Sequence, residues 1–167
     1  MRYAMTIEYF GDAEIFQVGM NVEKKGEAFY RNLSKMTKNP KTRRIADGLL
    51  ESEKEHYALL LRLKAGLASK KNKMTVEADS EVSKYINSLI KTNIFAAMPE
   101  SKFVKKISDK DALNIGIQAE KDSILFYTEA HSMSTNTSGK RALARLIKEE
   151  KEHLIILTHH LNELEGY

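Results

Sequence analysis

The sequence predicts an all-helical domain in which four long helices form a bundle with one long crossover connection. Only two prolines and eight glycines occur among the 167 residues, and 30% of the residues are charged, so helix formers dominate and turn signals are few. Four long segments carry apolar residues at helical spacing. Two short loops and one connection of about forty residues join them, and this order of loops favours a single crossover over a simple up-down bundle.

Residues typical of helix ends place the first two helices. The first helix is predicted to begin at an N-cap at Asp12 and to end at about Met36. The second follows Asn39 and begins at Pro40, because proline suits the first turn of a helix, and it is predicted to end near Gly66. The short loop between the two helices makes them antiparallel neighbours.

The long connection after the second helix is predicted to contain a short extra helix over residues 80–95 and to break at Pro99. The basic run SKKNK at residues 69–73 is interpreted as a solvated loop rather than a phosphate-binding patch, and a net charge of +4 is too small to indicate nucleic acid. No segment approaches the roughly 18 consecutive apolar residues of a membrane span, and the first residues do not resemble a signal peptide. We therefore expect a cytoplasmic protein that binds neither nucleic acid nor a membrane.

The third and fourth helices form the second hairpin. The third helix is predicted to begin at Ser108 or Asp109 and to end near Met133. The fourth is predicted to begin around Asn136, in the loop STNTSG, and to end before Gly166, which suits a C-terminal cap. These boundaries again leave a short loop between antiparallel neighbours.

The second hairpin repeats the pattern of the first. In each half, a Glu precedes a Glu-x-x-His motif by thirty positions, from 23 to 53 and from 120 to 150. The chain is therefore interpreted as one domain, residues 1–167, built from two helical hairpins at about 12–66 and 109–164. A shift of 97 residues aligns EKKGEAFY, which begins at Glu23, with EKDSILFY, and aligns LLESEKEH, which begins at Leu49, with LIKEEKEH.

Each of the four helices carries a glutamate at a heptad position that faces the bundle interior. Ionised carboxylates in an apolar interior lose much of their hydration energy, so they need a neutralising partner. Two divalent cations supply the matching charge, and the histidines of the two Glu-x-x-His motifs complete a nitrogen and oxygen set suited to iron, manganese or zinc. The candidate metal ligands are Glu23, Glu53, His56, Glu120, Glu150 and His153.

Small residues flank the glutamates of the first and third helices, four positions before and three positions after each one. Small side chains at these positions are expected to leave room for metal ions and a small ligand. The flanking residues are Gly19, Gly26, Gly116 and Ser123.

Tyr30 and Tyr127 lie two turns after the glutamates of the first and third helices, on the same helix face. Each is predicted either to hydrogen-bond a ligating carboxylate or serve as a redox neighbour of the metals, or else to be an ordinary buried tyrosine with a satisfied hydroxyl. Both interpretations place the two tyrosines on the buried face of their helices.

The remaining polar residues receive structural interpretations. The repeat aligns Glu150 with Glu53 but Glu149 with Ser52, so Glu150 rather than Glu149 is predicted to be the ligand. His160 is predicted to be structural, because it has no counterpart in the repeat. His131 and His159 are expected to be exposed, and the glutamates interpreted as helix-surface charge are Glu51, Glu55, Glu149 and Glu152.

The residues and motifs described above resemble those of the rubrerythrins, within the ferritin-like di-iron superfamily, over residues 12–164. That family's characteristic motif is a Glu followed about thirty residues later by Glu-x-x-His, occurring twice. The resemblance implies a ferritin-like bundle in which the six candidate ligands hold two iron ions. Ser123 stands where rubrerythrins usually have a further Glu, which puts their redox-linked ligand exchange in question. The sequence has no cysteine, so it also lacks their four-cysteine rubredoxin centre, and electrons are expected from another protein.

Two classes of function remain open at this point. The first is an oxidoreductase whose reduced dinuclear iron centre takes electrons from an external donor protein and reduces hydrogen peroxide or oxygen. The second is non-catalytic, either metal binding, iron storage or a zinc-stabilised structural bundle. Mild basicity favours the first class, because a positive face can steer an acidic redox carrier. A homodimer is the expected assembly.

Overall fold

A computed structural model describes residues 11–69 and 107–167, which form four helices. Along each hairpin the two helices pack closely, the first against the second and the third against the fourth, and fewer contacts join the two hairpins. The all-α class is confirmed for these residues, whereas the short helix predicted over 80–95 and the break at Pro99 lie outside them. The helices are α1 (Asp12–Met36), α2 (Pro40–Ser69), α3 (Asp109–Met133) and α4 (Thr137–Glu165).

The start of α1 differs from the prediction by one residue. Gly11, not Asp12, is the N-cap, and its backbone N–H donates to Glu14 Oε2 at 3.0 Å. The carboxylate of Asp12 instead accepts hydrogen bonds from the backbone N–H groups of Thr135 and Asn136, both at 3.2 Å. Asp12 therefore fastens the loop between α3 and α4 to the start of α1.

The end of α2 also differs from the prediction, because the helix continues past Gly66 to Ser69. A glycine ends a helix when it adopts a left-handed backbone, and among the described residues only Gly166 has a positive φ, of 88°. Gly166 does cap α4 as predicted, and the α3 and α4 N-caps are Ser108 and Asn136. A glycine that keeps helical angles only weakens its helix locally, by about 1 kcal/mol relative to alanine.

The apolar core is divided into two clusters, one toward each end of the bundle. The first cluster includes Phe16, Leu60, Tyr127 and Leu146. The second includes Phe29, Leu49, Leu113 and Leu157. On every helix the glutamate predicted to face inward lies in sequence between residues of one cluster and residues of the other, so the four carboxylates form a polar layer between two apolar layers.

No helix in the described ranges combines the length and the apolar character that a membrane crossing requires.

Candidate metal centre

The polar layer contains all six side chains that the sequence predicts as metal ligands, and every one is buried. They fall into two overlapping groups of four, and within each group the potential ligand atoms lie within 4.8 Å of one another. Carboxylates of Glu53 and Glu150 belong to both groups. The first group is Glu23, Glu53, His56 and Glu150, and the second is Glu53, Glu120, Glu150 and His153.

Both imidazoles turn their Nδ1 atoms toward the carboxylates. His56 Nδ1 lies 3.3 Å from Glu23 Oε2 and 3.2 Å from Glu150 Oε1. His153 Nδ1 lies 2.9 Å from Glu150 Oε2 and 3.7 Å from the nearest oxygens of Glu53 and Glu120. The two rings are stacked, with their centroids 5.5 Å apart and their planes inclined by 18°.

Several of these converging atoms form no hydrogen bond in the described part of the protein, although they are fully buried. Buried polar atoms normally have partners, so orphaned atoms require an explanation. Here nitrogen and oxygen atoms approach one another closely without the alignment of a hydrogen bond, as ligand atoms do when they point to a common ion. The residues therefore fit a pair of metal ions, and the orphaned atoms are Glu23 Oε2, His56 Nδ1, Glu150 Oε2 and His153 Nδ1.

The shifted pKa values of these side chains also indicate a site that binds cations. Burial raises the pKa of Glu53 well above its usual range, and the negative charges of Glu23 and Glu150 raise it further. Burial opposes protonation of the two imidazoles, but the nearby carboxylates outweigh it and raise the pKa of His56 to about 11 and that of His153 to about 9. Without metal the site therefore binds protons to balance its negative charge, and divalent cations can replace them.

The two tyrosines connect the hairpins. The hydroxyl of Tyr30 on α1 donates to Glu120 on α3, and that of Tyr127 on α3 donates to Glu23 on α1. Burial, reinforced by the adjacent carboxylates, raises the pKa of both tyrosines well above its usual value, so both hydroxyls stay protonated and keep donating. Each tyrosine therefore hydrogen-bonds a candidate ligand of the opposite hairpin, as one of the two sequence interpretations predicted.

The three glycines that flank Glu23 and Glu120 lie against side chains of other helices. A Cβ at Gly26 would collide with the carboxylate of Glu53. At Gly19 and Gly116, an added Cβ would lie 2.9 Å from Leu60 Cδ1 and 3.2 Å from Leu157 Cδ1, respectively. These glycines admit the side chains of a candidate ligand and of the core, and the room expected for metal ions and a small ligand stays a prediction.

Glu149 is a functional candidate that sequence reasoning missed. Its Oε2 lies 2.9 Å from His56 Nε2, and its Oε1 accepts a hydrogen bond from Arg145 Nε at 2.7 Å. The side chain is 27% exposed, so its interpretation as plain surface charge was wrong. Its partner lies on another hairpin, and no periodicity within α4 reveals that contact.

The other polar predictions have mixed outcomes. Buried His160 links α2 to α4 through Thr42 Oγ1 at 2.8 Å, as a structural residue does. His131, near the end of α3, is half-buried rather than exposed. The residues that are exposed as predicted are His159, Glu51, Glu55 and Glu152.

A cavity of about 590 Å³ opens between α2 and α4 and reaches the outer side of the candidate centre. Both histidines and Glu149 line it, and so do the basic side chains Lys41 and Arg44. This cavity therefore borders the side of the imidazoles that faces away from the carboxylates.

Comparisons with known proteins give a family and two structural neighbours. A model of the Rubrerythrin family matches residues 14–161. A crystal structure from Thermotoga maritima, provisionally named a ferritin-like diiron-carboxylate protein, is 22% identical, with 93% of this chain and 97% of that chain covered and a TM-score of 0.68. A hypothetical protein from Pyrococcus furiosus is 20% identical, with 95% and 94% covered and a TM-score of 0.64. No curated protein matches the sequence significantly. The structural likeness establishes the ferritin-like fold predicted from the sequence.

Proposed function

The chain belongs to the rubrerythrin family, and we propose that it holds two iron ions and reduces hydrogen peroxide or oxygen with electrons from a separate donor protein. The observation that carries this proposal is the pair of overlapping ligand groups, whose buried nitrogen and oxygen atoms converge without forming hydrogen bonds. The name of the Thermotoga maritima neighbour is consistent with iron as the metal. Manganese and zinc also accept this set of ligands.

Each candidate ligand has a role in this proposal. Glu23 and His56 would hold one ion, and Glu120 and His153 would hold the other. Glu53 and Glu150 belong to both groups and would be shared between the ions. Of the two shared residues, Glu150 lies closer to the imidazoles, because its oxygens approach both Nδ1 atoms within 3.2 Å.

When bound, redox-active ions would supply the electrons and the Lewis acidity that peroxide or oxygen reduction requires. The protein's own residues supply fixed geometry and a dry environment. Tyr30 and Tyr127 hold the carboxylates of Glu120 and Glu23 in place, so these ligands have little freedom to rotate. The two apolar clusters exclude water from both ends of the polar layer.

Reduction of hydrogen peroxide to two water molecules consumes two electrons and two protons, and a dinuclear ferrous centre can store both electrons. The sequence contains no cysteine, so it has no rubredoxin-type centre to reload them. An acidic redox protein is the proposed donor, since the net charge of +4 favours association with a negatively charged partner.

The test is elemental analysis of protein purified without added metal, followed by anaerobic addition of hydrogen peroxide to the reduced protein. We expect about two iron ions per chain and consumption of about one peroxide per chain, after which the reaction stops until a donor is added. As a control, Glu51→Ala removes an exposed glutamate of α2 and should change neither result. Bound metal without peroxide consumption would instead support storage or a structural role, and absence of bound metal would contradict the proposal altogether.

A further inference from the structure

We propose that Glu149 is a positioning residue that makes the two metal positions unequal, so that the position beside His56 binds its ion more tightly than the position beside His153. This inference rests on the proposed dinuclear centre. It concerns the outer nitrogen of each imidazole, which points away from the shared carboxylates.

At the first position, two residues hold the outer nitrogen through successive hydrogen bonds. The carboxylate of Glu149 accepts a hydrogen bond from His56 Nε2 at 2.9 Å. Its other oxygen accepts from Arg145 Nε at 2.7 Å, so both oxygens are engaged. Because Nε2 keeps the proton that it donates to Glu149, Nδ1 is the nitrogen whose proton a bound metal would replace, and it faces Glu23 and Glu150.

At the second position, the described residues provide no such pair of partners. The repeat aligns Glu149 with Ser52 and Arg145 with Gly48, and neither replacement carries a charge. Across residues 11–69 and 107–167, no hydrogen bond joins His153 Nε2 to a carboxylate. Gly48, Ser52 and His153 line the same cavity between α2 and α4, and a Cβ built at Gly48 meets nothing within 4 Å.

The consequence for metal binding follows from the chemistry of ligating histidines. A carboxylate on the second nitrogen fixes the tautomer and ring orientation and makes the ligating nitrogen more basic. Loss of such a partner typically weakens metal binding by about 10- to 100-fold. The two rings are nearly parallel and both turn Nδ1 inward, so the outer partner is the clearest difference between them.

A purely structural reading of Glu149 makes a different prediction. Arg145 and Glu149 form an exposed i,i+4 ion pair, and such pairs contribute little to stability. If that were the only role of Glu149, its removal would leave metal binding unchanged. The neighbouring i,i+4 pair of Lys148 and Glu152 on the same helix, at 3.8 Å, provides a matched control.

The experiment uses Co²⁺ as the probe, added anaerobically to the metal-free full chain. Stepwise dissociation constants come from competition with a chelator. NMR of the loaded protein reports the hyperfine-shifted imidazole N–H protons. For the wild type we expect two ions, with dissociation constants separated by about 10- to 100-fold, and one slowly exchanging and one rapidly exchanging N–H proton.

The variants remove the carboxylate that accepts from His56 Nε2, or place a carboxylate at the equivalent position beside His153. Glu149→Ala should weaken the tighter step by about 10- to 100-fold and make both N–H protons exchange rapidly, whereas Glu152→Ala should change neither. Glu149→Gln keeps the shape and an acceptor oxygen without the charge, so its tighter dissociation constant should lie between those of the wild type and Glu149→Ala. It also tests the inference if Glu149→Ala does not fold. Adding Ser52→Glu to Glu149→Ser should restore one tight step and one slow proton, now on His153.

The outcomes separate this inference from the proposed function. Failure of the wild type to bind two Co²⁺ ions would contradict the dinuclear centre itself and with it this inference. Two ions bound with equal affinity, or unchanged dissociation constants in Glu149→Ala and Glu149→Gln, would overturn the role of Glu149 and leave the dinuclear centre intact.

Discussion

The two helical hairpins carry the same inward-facing residues but differ immediately around them. Each supplies a Glu, a Glu-x-x-His motif and a tyrosine at equivalent positions. The neighbouring residues differ, since Ser123 aligns with Gly26 and Glu149 aligns with Ser52. The repeat therefore duplicates the atoms that would touch metal, and the surrounding contacts make the halves unequal.

The shared carboxylates show the same inequality. Glu150 of the second hairpin lies within 3.2 Å of the Nδ1 atoms of both His56 and His153. Glu53 of the first hairpin lies no closer than 3.7 Å to His153 Nδ1, and its carboxylate rests against Gly26. A sequence repeat thus does not guarantee equal roles for its two copies.

The largest expected effect comes from removing the shared carboxylate nearer both imidazoles. Glu150→Ala should lose at least one metal ion per chain, and Glu53→Ala should lose less, because Glu53 has fewer close contacts with the imidazoles. A metal ion that binds the folded state stabilises it. Added metal should therefore raise the melting temperature of Glu150→Ala by less than it raises that of the wild type. Elemental analysis gives the metal content of each variant, and thermal unfolding with and without chelator gives the effect of metal on its melting temperature. Equal metal loss in the two variants would show that the shared positions are equivalent.

The tyrosines offer a comparison in which the halves should behave alike. Tyr30→Phe and Tyr127→Phe each remove one buried hydrogen bond to a candidate ligand. Each should lower the free energy of unfolding by about 1–3 kcal/mol, the usual cost of leaving a buried acceptor without its donor. Denaturant unfolding of the two variants gives the numbers. A difference between them of more than about 1 kcal/mol would mean that the halves differ at this contact as well.

Gly26 and Ser123 occupy equivalent positions and should respond differently to alanine. Gly26→Ala introduces a Cβ where the Glu53 carboxylate lies, so it should destabilise the protein by about 1–3 kcal/mol through overpacking. Ser123→Ala adds no atoms at a position that already has a Cβ, and its effect should stay below about 1 kcal/mol. Thermal unfolding of both variants, without metal, tests the contrast. A stable Gly26→Ala would indicate that Glu53 has another position available.

The last prediction concerns pH and the protein without metal. A histidine whose pKa is raised on folding stabilises the folded state fully below its unfolded pKa of about 6.5, and this contribution is lost as pH rises through the folded value. The folded pKa is raised to about 9 for His153 and about 11 for His56, so His153 loses its contribution first. The melting temperature with chelator should fall as pH rises above 7. A melting temperature that rises between pH 7 and 9 would contradict this.

Much of the fold and the inner site follows from local sequence signals. Helical periodicity and the repeat act within single helices and hairpins, so they suffice to place Glu23, Glu53 and their counterparts in the interior. The contacts of Asp12 and Glu149 depend instead on how the helices of different hairpins are rotated against each other. That rotation is set by packing of the whole bundle, so it cannot be predicted from the spacing of residues within one helix.

The most direct test of the dinuclear centre is anomalous X-ray diffraction from crystals of the iron-loaded protein, with data collected on both sides of the iron absorption edge. We predict two anomalous peaks per chain in the polar layer, one beside His56 Nδ1 and one beside His153 Nδ1, with Glu53 and Glu150 close to both. A single peak, or peaks outside these six side chains, would contradict the assignment.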